Sequence, residues 1–391
     1  MAQPNGWLGQ LPPEIKAKAF VRNDVYGTYC NNPLSLLAKL RLTVLSLTLF
    51  PLKFIACLTC VTGCYIMVAI GNIFLREPFK AKYFTFWGKL WTRALLYSLG
   101  FWSIKWVYVN ADGTSSSKPP AGLKKRQFGG YVSNHCSWID IVVYMSRFFP
   151  SFVAKKDVST LPLIGPISKA MQCLFVDREA RLAALGAHGD GSGQGMSQLV
   201  RDRMTRKYSE GSAELPMLLF PEGTTTNNRY LMPFKRGAFV AGVPVQPLVL
   251  KYDTSGHFSP TWDAMPGHLH ILLVLTEPSF RVTCNVLPLY EPSAEERADP
   301  ALYAENVRQL MVKYSKLPAC EDTYADKLAF FKYVVDRMRR RTEDKGQGGS
   351  KGEWVERGSA AAAGRASSTV EVQARAETAC GGGDGLRQRK E

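Results

Sequence analysis

Residues 54–75 run for 22 positions without a charged side chain. At about 1.5 Å per residue, a helix of that length spans the roughly 30 Å hydrocarbon core of a bilayer. The run begins more than 50 residues after Met1, which sets it apart from a cleaved secretory signal. A second apolar stretch, Leu42–Leu52, precedes it, and Pro51 and Lys53 interrupt the two. One arrangement is a single transmembrane helix over 54–75. The other is a helical hairpin over 42–75 that dips into one leaflet and returns. Lys39 and Arg41 lie before the stretch and Arg76, Lys80 and Lys82 after it. The positive-inside rule puts both ends on the cytoplasmic face, which favours the hairpin. A buried core helix is the remaining alternative.

Tyr83–Tyr108 is rich in Trp and Tyr, with Lys89, Arg93 and Lys105 interspersed. Trp87, Trp91, Trp102 and Trp106 form an interfacial belt on one reading, so that the stretch lies on the membrane. On the other it is an amphipathic helix packed on a soluble domain.

The formal net charge of the 391 residues is +16. Nearly all of it precedes Arg341, because the last 51 residues hold nine basic and eight acidic side chains. Such a charge points to anionic partners rather than to a fold. No zinc finger, RNP motif or helix-turn-helix accompanies it, so anionic lipid or a polyphosphate substrate fits and nucleic acid is not expected as a partner. The nine cysteines are odd in number and scattered, which argues against a disulfide framework. Cys57, Cys60 and Cys64 sit inside the apolar run with no histidine nearby, a packing pattern rather than a metal site.

From Gly129 to Tyr290 short apolar strands alternate with helical or loop segments. The expected strands are Tyr131–Ser133, Ser151–Ala154, Leu174–Asp177, Met217–Phe220, Val245–Tyr252, Ile271–Leu275 and Arg281–Val286. Their order implies an α/β domain with a central, mostly buried sheet flanked by helices. The glycine-rich Gly186–Gly195 has neither dinucleotide-fingerprint nor nucleophile-elbow spacing and reads as a flexible insertion. Pro300–Tyr314 and Tyr324–Arg341 carry helical patterns, the second ending in three arginines suited to an anionic membrane face or to solvent. From Thr342 onward the composition is that of a disordered tail. The organisation expected is an N-terminal segment (1–41), a membrane anchor (42–76), an amphipathic interfacial region (77–128), the α/β domain (129–320), a basic amphipathic helix (321–341) and the tail (342–391).

His135 and Asp140 stand five residues apart in "SNHCSWIDIVVY". On an ideal helix that spacing is about 500°, so the two side chains cannot share a face. They meet if His135 lies on the turn before a helix and Asp140 in its first turn. Ser137 as N-cap gives that arrangement. Asp140 near a helix start stays ionised and can fix and stabilise an imidazole that takes up a proton. Three later stretches add weight, in order: "LFVDR" with Arg178 at a strand end, "FPEGTTTN" with Glu222 and Gly223 in a turn after a strand, and "GVPVQP" leading into another strand.

This ordered set resembles the glycerolipid acyltransferase family of 1-acylglycerol-3-phosphate and lysophospholipid O-acyltransferases. The likeness is strongest to its plant-type lysophosphatidylethanolamine branch, through "VAKKDVSTLPLIGPISK", "FPEGTTTNNRYLMPFKRGAFVAG" and "DPALYAENVRQLM". It extends to about Met311 and leaves out the first 40 residues and the tail. The resemblance implies the family's α/β fold, with His135 as general base and Asp140 as its orienting partner. It also implies acyl-CoA as co-substrate, a lysophospholipid acceptor, and no cofactor or metal. Arg178, Glu222, Gly223 and Thr224 would shape the acceptor and phosphate pocket, with Glu222 on a hydroxyl. Lys155, Lys156 and Lys235, together with Arg236, are candidates for the phosphates of acceptor or CoA; a solvated basic face accounts for any one of them equally well. Many members that act on phosphatidic-acid precursors carry arginine after Glu-Gly-Thr, where this chain has Thr225. Loss of that guanidinium favours a phosphodiester headgroup, ethanolamine or choline, over lysophosphatidic acid. Two other classes compete: a hydrolase using Cys136 or Ser137 as nucleophile, and a lipid-binding protein without catalysis. Membrane anchorage without a signal peptide points to the endoplasmic reticulum, with the site facing the cytosol.

Overall fold

The structure, a computed structural model, describes residues 16–30, 32–120, 127–176, 192–209, 214–254 and 256–347. They fall into two compact units. The larger comprises Ala19–Val176 and Gly193–Glu321.

Its first helix, α1 (Leu36–Phe74), is capped by Ser35, whose hydroxyl accepts from the Ala38 N–H at 3.2 Å. α1 is one helix of 39 residues with Pro51 inside it. The break expected at Pro51–Lys53, and the hairpin over 42–75 with it, does not form. An internal proline costs a helix about 3 kcal/mol, and here the chain is pinned on both sides of it. Upstream, Arg41 pairs with Glu277 at 3.0 Å. Downstream, the buried Lys53 ammonium donates to the Leu99 carbonyl at 2.8 Å and the Glu277 carbonyl at 2.5 Å. Both carbonyls lie at helix C-termini, where the dipole is negative, which gives a lysine in an apolar run its reason.

The return comes after α1. Helix α2 (Phe79–Leu99) packs antiparallel along it. Gly71 of α1 meets Tyr83 and Phe84, Gly63 meets Trp91, and Cys60 approaches Ser98 at 3.6 Å. The fully buried positions of α1 (Lys53, Cys60, Cys64, Val68, Gly71) fall on one face. Its other face exposes Leu47, Leu52, Ile55, Leu58, Ile73 and Phe74. α2 stops at Gly100, whose φ of 99° is left-handed and where a Cβ would stand 2.7 Å from the Pro278 carbonyl.

In chain order there follow β1 (Ile104–Val109), β2 (Ser115–Ser116), β3 (Gly130–Ser133), α3 (Ile139–Arg147), β4 (Val153–Lys155), α4 (Ile164–Ala170), β5 (Leu174–Val176), α5 (Ser192–Ser209), β6 (Met217–Leu219), β7 (Val245–Tyr252), α6 (Gly267–Thr276), β8 (Val282–Val286), α7 (Ala294–Ala298) and α8 (Pro300–Ser315). Six strands make the main sheet in the order β2-β1-β8-β7-β3-β6. β6, β3 and β7 are mutually parallel, β8 is antiparallel to β7, and β1 is parallel to β8. The α/β architecture is the one expected. β7 is its buried spine: Leu248, Leu250 and Tyr252 face a core with the first helices, while Val245 and Val249 face a second core with α5 and α8.

Three expectations change. Ile271–Leu275 is not a strand but the middle of α6; its unbroken apolar run has no period to separate strand from buried helix. Residues 77–128 are not one interfacial stretch, since they supply α2 and then β1, which joins the sheet. Within β1, Trp106 packs edge-on against Phe148, while Trp102 ahead of it is exposed. β4 and β5 form their own parallel pair, with Lys155 opposite Val176.

The smaller unit contains helix α9 (Tyr324–Gln347). Thr323 opens it: Asp326 N–H donates to its hydroxyl at 3.3 Å, and its own N–H donates to the Asp326 carboxylate at 2.7 Å. The helix continues six residues past Arg341, so the segment expected to be disordered begins helical. Residues 348–391 lie outside the described residues, as does most of the glycine-rich 186–195.

Candidate active site

β3 ends at Ser133, and the next residues replace its ladder with side chains. The Asn134 carboxamide accepts from the Leu250 N–H at 2.8 Å and donates to the Leu250 carbonyl at 2.9 Å. Asn228 accepts from the Tyr252 N–H at 2.8 Å and donates to the same Leu250 carbonyl at 2.9 Å. Two amides thus extend the sheet by one more pair and free the backbone of 134–137 to turn.

On that turn His135 Nδ1 lies 2.9 Å from Asp140 Oδ2. The imidazole stacks on Phe220 at 4.1 Å between ring centres. Nε2 bonds to no other described residue, and the side chain is 18% exposed. Asp140 is fully buried and saturated. Oδ2 also accepts from the Cys136 N–H at 2.6 Å and the Ser137 N–H at 2.9 Å, and Oδ1 accepts from the Tyr252 hydroxyl at 2.6 Å. Asp140 stands in the first turn of α3, as the spacing required. Ser137 is not the N-cap, however. Trp138 occupies that position with helical dihedrals and no side-chain capping bond, and the Ser137 hydroxyl accepts from the Ile139 N–H at 3.3 Å. The Asp140 carboxylate binds the 136–137 amides itself, so the chain coils around it before the helix begins.

The turn after β6 holds the other side. Glu222 is buried, and its Oε1 accepts from the His135 N–H at 3.3 Å. Burial pushes its carboxyl well above the usual carboxylate range; the Asp140 charge adds to this, against the opposing backbone donors of His135 and Met232. Its Oε2 is buried without a partner among the described residues. Gly223 has φ of 69°, and the Lys235 ammonium sits 2.7 Å from where a Cβ would stand, so Lys235 lies across Gly223. Thr224 is buried. The Thr226 N–H donates to the His135 carbonyl at 2.9 Å, and the Thr225 hydroxyl donates to the Trp262 carbonyl at 2.5 Å.

The structure therefore brings together His135, Asp140, Glu222, Gly223, Thr224 and Lys235. Lys155 ends β4 and the exposed Lys156 opens the following 3-10 turn, and neither bonds to the dyad. Arg178 lies outside the described residues.

The acyltransferase family model matches residues 125–251, which include His135, Asp140 and Glu222. The lysophospholipid acyltransferase LPEAT1 of Arabidopsis thaliana is 35% identical over 347 residues, covering 80% of this chain and 85% of that protein. The chain belongs to the acyltransferase family. A lysophosphatidylcholine acyltransferase of Drosophila melanogaster is 31% identical over 73% of this chain, which spans about half (51%) of the fly protein. The crystal structure of a 1-acyl-sn-glycerophosphate acyltransferase from Thermotoga maritima aligns at 18% identity with a TM-score of 0.43, over 71% of this chain and 97% of that one.

In this acyltransferase the residues beside His135 are not available as nucleophiles. Cys136 is fully buried, its sulfur takes the Asn228 and Asn134 amides at 2.7 and 3.3 Å, and burial holds its thiol well above the usual range. Ser137 is equally buried. Sequence reasoning missed Asn134, Asn228, Tyr252 and the Phe220 platform. Tyr252 closes the strand expected at 245–252, but nothing local marks its hydroxyl as the partner of a carboxylate 112 residues earlier.

Proposed function

We propose that this acyltransferase moves a fatty acyl group from acyl-CoA to the free hydroxyl, at sn-2, of a lysophospholipid bearing ethanolamine or choline. The observation that carries the reading is the His135–Asp140 pair, with Nδ1 committed to the carboxylate and Nε2 unengaged. With Nδ1–H donating to the Asp140 carboxylate, the imidazole presents a basic Nε2. Nε2 takes the hydroxyl proton as the oxygen attacks the thioester carbonyl. The tetrahedral intermediate collapses, the C–S bond breaks, and CoA departs as a thiolate that recovers the proton from the imidazolium. A thiolate with pKa near about 8.5 needs little acid help. General-base action supplies roughly 10²–10⁴-fold, and holding the two substrates together supplies much of the rest. The names of the plant and fly relatives, a lysophospholipid and a lysophosphatidylcholine acyltransferase, support a lysophospholipid acceptor. Thr225 turned to Trp262 supports the headgroup reading, because no guanidinium occupies that position.

The protein works at a membrane. α1 would be about 58 Å long, well over a hydrocarbon core, yet Arg41 near its start pairs with Glu277 and Asn72 near its end lines a cavity with Pro166 and Lys169 of α4. A helix held at both ends by one unit lies along that unit. We therefore place the α1–α2 pair in one leaflet with its apolar face in lipid; a site facing the cytosol at the endoplasmic reticulum is a separate proposal, motivated by the basic residues Lys39, Arg41, Arg76, Lys80 and Lys82 that flank the apolar run.

The test is CoA release from acyl-CoA with lysophosphatidylethanolamine, lysophosphatidylcholine and lysophosphatidic acid, comparing wild type with His135→Ala. Release that needs His135 and favours the first two acceptors is expected. Preference for lysophosphatidic acid would overturn the headgroup assignment, and His135-independent release the base.

A further inference from the structure

We infer that Arg22, in the segment ahead of α1, is a positioning residue for the His135–Asp140 turn, acting through the Ser259–Asp263 loop. The inference rests on His135 being the base. Residues 19–30 have little regular structure, yet Ala19, Phe20 and Val21 are buried and Arg22 is only 4% exposed. The guanidinium is spent almost wholly on one loop. Nη1 donates to the Thr261 carbonyl at 2.7 Å and pairs with Asp263 at 2.9 Å, and Nη2 donates to the Ser259 carbonyl at 2.5 Å. Asp24 pairs with it at 2.5 Å, and the guanidinium carbon stands 4.7 Å over the Phe258 ring. A buried arginine with two carboxylates costs desolvation that a well-packed apolar group would avoid, so it adds little to stability. What it does supply is geometry, because a planar fork fixes several acceptors at once.

That loop reaches the dyad by three contacts. The Trp262 N–H donates to the Cys136 carbonyl at 2.7 Å, next to His135. The Trp262 carbonyl takes the Thr225 hydroxyl of the Glu222 turn. His270 lies against the Pro260 and Thr261 carbonyls through Nε2 at 3.1 and 3.2 Å and accepts from the Trp138 indole N–H through Nδ1 at 3.1 Å. Burial holds this imidazole down to about 3, with the Arg22 charge pushing the same way. It is thus the neutral tautomer that can donate to the loop and accept from α3. The segment also grips the opposite wall: the Asn227 N–H donates to the Ala19 carbonyl at 2.8 Å and its side chain to the Val21 carbonyl at 3.0 Å. Residues 19–22 therefore tie the two loops that hold the His135 and Cys136 carbonyls.

The decisive variant is Arg22→Met with Asp263→Asn. Asp24 keeps the Tyr26, Gly27 and Ser259 N–H donors, so no uncompensated carboxylate is left. A catalytic group displaced by about 1 Å loses roughly 10²-fold, and a loosened turn is expected to lower kcat about 10–100-fold while KM for acyl-CoA and for lysophosphatidylethanolamine stays within about 3-fold. In Arg22→Ala, millimolar guanidinium should restore part of kcat where equal NaCl does not. If the double variant does not fold, Arg22→Lys, which keeps the charge without the fork, is judged on the same kcat criterion. A folded variant with wild-type kcat overturns the inference, as does a loss shared equally by kcat and KM without guanidinium rescue. His135→Ala, assayed alongside, separates the two ideas: if it is inactive, a wild-type result for Arg22 defeats only the positioning role, and if it is active, the base assignment fails first.

Discussion

Replacing Asp140 by asparagine removes one charge and almost nothing else. The carboxylate accepts four hydrogen bonds, three on Oδ2 and one on Oδ1. An asparagine with its oxygen at the Oδ2 position keeps the His135, Cys136 and Ser137 donors and turns its NH₂ to the Tyr252 hydroxyl, which can rotate to accept. The fold should survive with a modest drop in thermal midpoint. On the general-base role proposed for His135, the loss falls on the imidazolium formed when it takes the substrate proton. At the 2.9 Å separation and an effective dielectric of about 20, carboxylate and imidazolium attract by about 6 kcal/mol. His135 is 18% exposed, and the amide dipole remains, so about 3–4 kcal/mol is the share expected to vanish, roughly 10²–10³-fold in kcat. Steady-state CoA release with saturating lysophosphatidylethanolamine reads this directly, with circular dichroism to verify folding. A folded Asp140→Asn enzyme within about 3-fold of wild-type kcat would refute the reasoning.

The double variant Cys136→Ala, Ser137→Ala should keep at least about a third of wild-type CoA release, since both side chains are fully buried; loss of all activity in a folded protein would revive an acyl-enzyme. Tyr252→Phe removes the only donor to Asp140 Oδ1 among the described residues and leaves a buried carboxylate oxygen without it, at a cost of about 1–3 kcal/mol. The thermal midpoint should fall, and an unchanged midpoint would contradict the bond. Glu222 has a carboxyl raised above its ordinary 4.5 by burial, so the native state holds that proton more tightly than the unfolded chain. Its contribution to stability is full below about 4.5 and is lost as pH rises toward the native value. Glu222→Gln should therefore lose less thermal stability than wild type between about pH 5 and 8, and parallel curves for the two would argue against a protonated Glu222.

The dyad was legible because one turn of chain carries both partners and because the Glu222 turn follows a strand of ordinary apolar pattern. β3, β6, β7 and β8 were likewise legible. Two kinds of element were not. α6 and the join at Pro51 were misread because an apolar run has no period and because a proline's cost can be met by distant contacts, here Glu277 and Leu99. β1 was hidden by Trp106 within it and Trp102 just ahead of it, because the interfacial and strand preferences of tryptophan look alike in sequence. The supports of the site, Asn134, Asn228, Tyr252 and Arg22, act through contacts more than 20 residues apart, and no local pattern encodes such pairs.

Helices α1 and α2 are joined to the His135–Asp140 pair by a short chain of contacts. Lys53 holds the end of α2 at Leu99. Two residues on, Phe101 is fully buried between Phe280, at 5.0 Å, and Tyr252, at 6.1 Å between ring centres. Tyr252 in turn holds Asp140. The seating of α1 against α2 and the register of the dyad are thus set by the same few side chains. Lys53→Met tests the first link. It strands the Leu99 and Glu277 carbonyls, about 1–3 kcal/mol each, and is partly offset because an ammonium no longer has to be desolvated. A net loss of about 1–3 kcal/mol is expected, seen as a lower thermal midpoint in detergent and as faster protease cleavage at the 99–102 junction. If Lys53→Met unfolds and is cleaved as wild type does, Lys53 is not the link between anchor and site.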